Sequence, residues 1–473
     1  QNANSPRLLV QNNALNPGAL TSLHLGSEDK LTVKNANLRI ENSILLPVDI
    51  ELENANLELK GQIEDLPQGL LENSTLTFID PARVSENFIW PSNSKLIFKN
   101  GLHLEGQIRN TNSSPLNSLS ILVTGEISSD DDNLIINGYS LELINSQEFN
   151  KIELLNGAVI TTPRTSSPTQ SVIELIASEF LIDATSKIDV SGKGLSFDPQ
   201  NEQYDGASHG GKGGITLWFA DNKPAVTHGS ITYPSSYGYG AQIPAYGGPT
   251  YGGGAIKISA GIFTLEGKII ADGDQPYASN KGGSAAGGTI LIDVNKLRSE
   301  TGNFIISASG GNGVDVAGGG GGGRVAIYYN EFEHIDISRI QTFGGLAGNF
   351  DRAGHGEAGT IYLEEKDNNI NREVSVIGSG SKSRYDMYDC LSANYLCPIT
   401  TISDLPENVA FVGGYINFDS QNNLNLKSLN FNASRVVINK NFSVETLGLK
   451  NSIAHIYGQH NSISKELTLE NRS

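Results

Sequence analysis

The chain has 473 residues, 53 of them glycine, with charged residues at only 18% and a formal net charge of −18. Such an acidic chain lacks the basic patch that nucleic acid requires, and no run of about 18 apolar residues is present to span a membrane. Length alone predicts two to four globular domains, but repeat architectures escape that arithmetic because each unit packs only on its neighbours.

In the N-terminal third NANLRIEN (35–42) returns as NANLELKG (54–61), and the leading leucines fall at Leu38, Leu57, Leu76 and Leu96, in steps of 19, 19 and 20 residues. A second pattern, apolar-x-Gly-x-Ile, recurs as LKGQI (59–63), LEGQI (104–108), VTGEI (123–127) and LEGKI (265–269). Alternation with period 2 marks strands with one buried and one wet face, and the glycine is expected to supply positive φ at a corner. Strands this short are unstable alone. Stacked one above another every 20 residues or so, they form parallel ladders in which each repeat shields the last.

From about residue 180 the period lengthens. GGITLWF, GGAIKIS, GGTILID, GGRVAIYY and AGTIYLE place their first strand residue at Ile215, Ile256, Ile290, Val325 and Ile361, in steps of 41, 34, 35 and 36. We read this as the same coil with one corner expanded into glycine-rich loops at 192–214, 221–254, 273–288, 309–323 and 344–359. Compact coils return beyond residue 400. The expected fold is all-β: a right-handed parallel β-helix with the long loops on one side. It divides into N-terminal coils at 1–180, long-repeat coils at 181–365, an inserted hairpin or lobe at 366–400, and C-terminal coils at 401–473. Cys390 and Cys397 lie in that lobe, where a local disulfide is expected; no further Cys or His stands nearby at metal-ligand spacing. The sequence opens at Gln1 with neither an initiator methionine nor a signal-peptide pattern, so a processed mature end or a chosen boundary is expected there. At the other end KELTLENRS shows no evident cap, as in a piece of something longer.

The phrases GGxxxGGGGGGRVAIYY and AGTIYLE resemble glycine-rich β-helical segments of large bacterial secreted and surface proteins, many of them adhesins or adhesin-like. The resemblance covers roughly residues 180–365. It implies a solenoid outside the cell and supplies no catalytic motif. Acidic composition and two close cysteines agree with an extracellular or cell-surface location.

Loops on a rigid scaffold are where sites are usually placed. The 221–254 loop carries Tyr233, Tyr237, Tyr239, Tyr246 and Tyr251, with Trp218 and His228 just before them. Tyrosine rings pack on apolar faces of sugars while their hydroxyls hydrogen-bond, so the cluster points to a recognition surface. Each ring alone is better explained as a cap on the solenoid's flank or a pin for a long loop. A polar grouping, Asp205 and His209 with Asp351, Arg352, His355 and Glu357, supplies the residue types of a glycosidase or lyase, or else partners for exposed backbone. GGNGVDVAG (310–318) matches one calcium nonapeptide around Asp315, and Asp130, Asp131 and Asp132 form a second acidic run. Calcium is therefore a candidate ligand, against the simpler account of solvated turns. The expected function is a non-enzymatic adhesin or fibre segment with a glycan or cell-surface ligand. The alternative is a polysaccharide-degrading enzyme, tailspike-like, on the same scaffold. Oligomeric state stays open between monomer and trimer.

Overall fold

The structure, a computed structural model, describes residues 7–11, 21–23, 30–40, 49–61, 68–84, 88–90, 95–105, 108–110, 120–170, 172–196, 204–216, 226–241, 249–276, 282–348, 353–366, 372–375, 408–412, 415–418, 424–432, 435–438, 441–457 and 461–470. Among them the fold is all-β, with long parallel sheets and a single three-residue 3-10 turn, Ile337–Arg339, capped by the Asp336 carboxylate accepting from the Ser338 N–H. The backbone separates into two units.

The first unit comprises Gln1–Pro163, Ile173–Ile188 and Phe263–Gly267. Its strands pair in parallel with strands one repeat away, which is the pairing of a solenoid-like fold. One ladder runs through Asn37–Ile40, Asn56–Leu59, Thr75–Phe78, Lys95–Phe98, Ser120–Val123 and Ser140–Leu143. Its register sets Leu38 beside Leu57, Leu57 beside Leu76 and Leu76 beside Leu96, so the steps of 19, 19 and 20 residues are the spacing between paired parallel strands. All four leucines are fully buried, each worth about 1.5–3 kcal/mol of apolar burial. Phe78 and Phe98 stack face to face at 4.8 Å, the spacing of neighbouring strands.

The outer faces carry polar columns with the same step. Lys34 pairs with Glu53 at 2.6 Å, Arg39 with Glu58, and Asn56 Nδ2 donates to Asn37 Oδ1 at 2.8 Å. Corners depart from the expectation that glycine supplies positive φ. Gly61 does so (φ 136°), but Asn35, Asn54 and Asn73 take the left-handed region at 49°, 47° and 48°, and neither Gly125 nor Gly267 does. Asparagine is the residue other than glycine that tolerates this region best, which allows identical corners to stack.

The second unit comprises Arg164–Val172, Asp189–Ile262 and Lys268–Ser473. Thr289–Arg298, Arg324–Tyr329 and Thr360–Glu365 run parallel with Ile290, Val325 and Ile361 in register, so the 35- and 36-residue steps are also spacings between paired parallel strands. Ile215 stands apart. Thr216 makes an isolated antiparallel bridge to Ala353, and the Gly354 N–H donates to the Ile215 carbonyl at 2.8 Å. The chain before Ile215 doubles back at Ser208–Gly211, which sends it alongside 353–357 in the opposite direction. Thr360–Glu365 pairs antiparallel with Arg372–Ser375. Cys390 and Cys397 lie outside the described residues. Parallel pairing then continues through Asn408–Val412, Leu424–Asn432, Phe442–Lys450 and Asn461–Glu470.

The glycine-rich segments have an order of their own. Within Gly318–Gly323 the N–H groups of 318 and 321 donate to the carbonyls of Tyr204 and Ala207, those of 319 and 322 to Gly354 and Glu357, and those of 320 and 323 to Gly311 and Ala308. The carbonyls follow the same rule: 318 and 321 accept from Ser284 and Gly287, 319 and 322 from Gly214 and Gly211, and 320 and 323 from Gly345 and Thr360. Partners recur every third residue and none is internal to the run. That is the signature of a three-residue-per-turn extended helix of polyproline II type, here enclosed by chain on every side. A Cβ added anywhere from 318 to 323 would overlap a neighbouring backbone carbonyl. Only glycine lets these backbones approach so closely.

Candidate functional site

Over the sheet of the second unit, Leu291, Ala326 and Tyr362 stand in register on the face opposite Ile290, Val325 and Ile361. In most half-wet strands this face meets water. Here all three are buried, together with Ile231 from the 226–241 segment, Leu429 and Phe431. The tyrosine-rich segment is therefore a plate bolted to the sheet through Ile231.

The fastening at the segment's start is His228. Its N–H donates to the His209 carbonyl at 3.0 Å, its carbonyl accepts from Arg324 Nε at 2.9 Å, and its Nε2 lies 3.2 Å from the Tyr237 carbonyl. The ring lies 4.6 Å from that of His209 and 4.9 Å, edge-on, from that of Tyr239. His209 Nδ1 is 2.7 Å from the Gly287 carbonyl, which makes Nδ1 the protonated nitrogen; Nε2 has no hydrogen-bond partner among the described residues. Burial, the neighbouring His228 and the Arg324 charge hold His209 well below the ordinary histidine range. Burial, with a further push from Arg324, brings His228 down to about 4 despite its bond to Tyr237. Both rings are neutral at pH 7. Arg324 is itself fully buried and donates through Nη1 to Thr360 Oγ1 at 3.0 Å.

One register step along the same strands the surface opens. Asp293, Tyr328 and Glu364 form a row across the sheet. The Tyr328 hydroxyl donates to the Thr232 carbonyl at 2.8 Å and steadies the tip of the plate. There Tyr233 is 51% exposed, its ring 6.4 Å from that of Tyr328 and 5.6 Å from the Lys257 ammonium. The Tyr362 hydroxyl donates to Glu364 Oε2 at 2.5 Å, and Lys366 Nζ bridges Asp293 at 3.0 Å and Asn295 at 3.3 Å. An exposed ring beside an ammonium group, next to a row of carboxylates, a lysine and an amide on the sheet, supplies the residue types that grip a sugar ring by one face and its hydroxyls by their edges.

The tyrosines singled out in the sequence go to different places. Tyr233 is on the exposed strip, Tyr237 is buried, Tyr239 leans on His228, and Tyr251 lies under the Arg164 guanidinium at 3.9 Å. Trp218 and Tyr246 lie outside the described residues. Periodicity did not single out Lys257, Asp293, Tyr328, Glu364 or Lys366. Their signal was the outward position in IKIS, LID, IYY and YLEEK, which alternation assigns to the solvent side.

Of the polar grouping, Asp205 is fully buried and its Oδ1 accepts from the Thr216 N–H at 2.6 Å. Glu357 is buried and its Oε2 accepts from the Lys212 N–H at 3.2 Å, while His355 Nδ1 accepts from the Ala347 N–H at 2.9 Å. Asp351 and Arg352 lie outside the described residues. Asp205, His209, His355 and Glu357 are brought into one glycine-rich region, where each bonds to backbone groups.

The acidic runs behave similarly. Asp131 accepts from the Asn133 N–H and side-chain amide, Asp132 accepts from the Asn150 N–H, and Asp315 is an exposed turn residue at φ 56°. In the first unit the ligand atoms of His103, Glu105 and Asp130 lie within 4.8 Å of one another. Each is already engaged: His103 with Ser128 at 2.9 Å and Asp130 at 3.0 Å, and Glu105 in an ion pair with Arg83. Comparison with family models, with curated proteins and with solved structures finds no match to the chain.

Proposed function

We propose that the chain is a right-handed parallel β-helix serving as a non-enzymatic, adhesin- or fibre-like recognition protein at the cell surface or outside the cell. Its ligand is a glycan. Parallel ladders whose paired strands stand 19 or 35–36 residues apart support the helix, since each short strand stacks on the strand one repeat before it.

The observation that carries the recognition role is the strip around Tyr233. A large aromatic ring half in water lies 6.4 Å from the Tyr328 ring and 5.6 Å from the Lys257 ammonium, and Tyr328 stands between Asp293 and Glu364 on the sheet. Pre-ordering a ring in this way lowers the entropy lost on binding. Of the carboxylates weighed for glycan cleavage, Asp205 and Glu357 are buried and bonded to backbone amides, which favours recognition over hydrolysis, and Asp351 lies outside the described residues. Glycan-array binding of the chain and of Tyr233→Ala tests the reading. Loss of a defined set of glycans by the variant, with unchanged circular dichroism, is expected; identical array profiles would refute it.

A further inference from the structure

In the first unit Ala82–Val84, Leu102–Leu104 and Ile127–Ser129 form a three-stranded parallel sheet. Its register aligns Ala82, Leu102 and Ile127, and Val84 with Leu104, all of them buried. The residues between therefore face outward, with Arg83, His103 and Ser128 in one row. Pairing runs one residue further, since the Glu105 N–H donates to the Val84 carbonyl at 2.8 Å and the Asp130 N–H to the Leu104 carbonyl at 3.4 Å. Glu105 and Asp130 thus follow two residues after His103 and Ser128 on the same outward face. Strand alternation has brought an imidazole and two carboxylates together across two neighbouring strands.

Their ligand atoms lie within 4.8 Å of one another, and His103 Nε2 is 3.0 Å from Asp130 Oδ1. Two ligand atoms on a tetrahedral ion with bonds of ~2.0–2.1 Å stand about 3.3 Å apart, so the widest gap closes with a side-chain swing of about 1.5 Å. The second ring nitrogen is placed as well, with Nδ1 2.9 Å from Ser128 Oγ. When Nδ1–H donates to that oxygen, the Nε2 lone pair faces a carboxylate oxygen, a contact that a cation between them makes favourable. Metal-binding histidines are oriented by such a hydrogen bond through the nitrogen that does not bind the ion. Arg83 now neutralises Glu105, but its side chain is 53% exposed and can be released to water when a metal takes its place.

The donors select the ion. Calcium takes about six to eight oxygen ligands, whereas an imidazole with two carboxylates suits zinc, with the fourth position left to water. We propose that His103, Glu105 and Asp130 form a zinc site that clamps two neighbouring strands of the first unit. Ser128 is the positioning residue for the imidazole, and Arg83 is the counter-ion that the metal displaces.

Calorimetric titration of Zn²⁺ into the chelator-treated 473-residue chain tests this. The native chain is expected to bind one ion more than His103→Ala does, which subtracts any zinc held elsewhere. Glu105→Gln, which keeps the shape of the side chain, is expected to weaken that ion at least about tenfold. Ser128→Ala leaves all three ligands in place and should weaken it about tenfold. Arg83→Ala removes the competitor for Glu105 and should tighten it about two- to fivefold. That gain is one a merely destabilising change would not produce, and circular dichroism checks that each variant folds. Equal zinc binding by the native chain and by both His103→Ala and Glu105→Gln would overturn the proposal, as would calcium binding as tight as zinc or weaker zinc binding by Arg83→Ala.

Discussion

The bundle around Gly318–Gly323 makes a demanding prediction at Gly320, which is changed to alanine. Its N–H donates to the Gly311 carbonyl at 2.9 Å and its carbonyl accepts from Gly345 at 2.8 Å. An added Cβ would overlap the carbonyl oxygen of Ala285, which itself accepts from the Gly311 N–H at 2.9 Å. One methyl group therefore forces apart segments joined by three backbone bonds. Overpacking strain of ~1–3 kcal/mol and ~1–3 kcal/mol for each buried backbone group left without a partner bring the cost to about 3–6 kcal/mol. Alanine also stiffens the unfolded chain, but that benefit is only ~0.4–1 kcal/mol and does not decide the sign.

The assay is native-state amide exchange followed by mass spectrometry on peptides covering 204–216 and 309–323. At 3 kcal/mol the opening equilibrium shifts by about a hundredfold, so these amides should exchange about that much faster. Gly354→Ala is the matched control. It sits in the same region, but its added Cβ would find its nearest neighbour, Ile215 N, at an ordinary 3.5 Å. Its exchange should stay near that of the unaltered protein. If Gly320→Ala exchanges no faster than Gly354→Ala, the close-packed backbone bundle is wrong.

The histidine fastening carries a pH dependence. Because the folded state holds His209 and His228 below the unfolded value of ~6.5, the unfolded chain binds more protons. Their stabilisation is complete above ~6.5 and is lost progressively as pH falls toward about 4. Asp272, whose burial raises its pKa, works the other way in acid and offsets part of the loss. Denaturation midpoints at pH 7.5 and 4.5 should drop in the native chain and drop less in His228→Gln; equal drops would refute the assignment. In the first unit, Phe98→Ala removes one half of the Phe78 stack and should cost ~3–5 kcal/mol, read as a lower urea midpoint. By contrast Glu58→Gln, on the half-buried Arg39 column, should cost about 1 kcal/mol or less by the same measurement.

What could be read in advance follows from which forces leave a trace in side-chain order. Apolar burial does, and so Leu38, Leu57, Leu76 and Leu96 foretold their own alignment, as did Ile290, Val325 and Ile361. Ile215 had the same local phrase, yet it and Thr216 lie antiparallel to Ala353 and Gly354, because the turn at Ser208–Gly211 reverses the chain before it. A turn made by glycine and a buried His209 carries no apolar period that would reveal it. The strip was half legible. Tyr233 could be found by residue type, whereas Tyr328 and Glu364 acquire meaning only once register sets them in one row with Asp293.

The period-three bonding of Gly318–Gly323 was invisible for a deeper reason. Direction in such a helix is expressed by backbone N–H and C=O groups, and glycine offers no second chemistry to mark which way each residue faces. Yet this featureless segment decides where the aromatic strip sits. Gly318–Gly323 fixes the limbs at 204–207 and 211–214, those limbs present His209, and His209 receives His228, the first anchor of the plate that ends in Tyr233. Backbone bonds among glycines tolerate little displacement, since every carbonyl is already matched to a donor. A ring at the end of that chain of contacts is held by the least adjustable part of the molecule, and so Gly320→Ala should weaken any ligand of Tyr233 without altering a single residue that touches it.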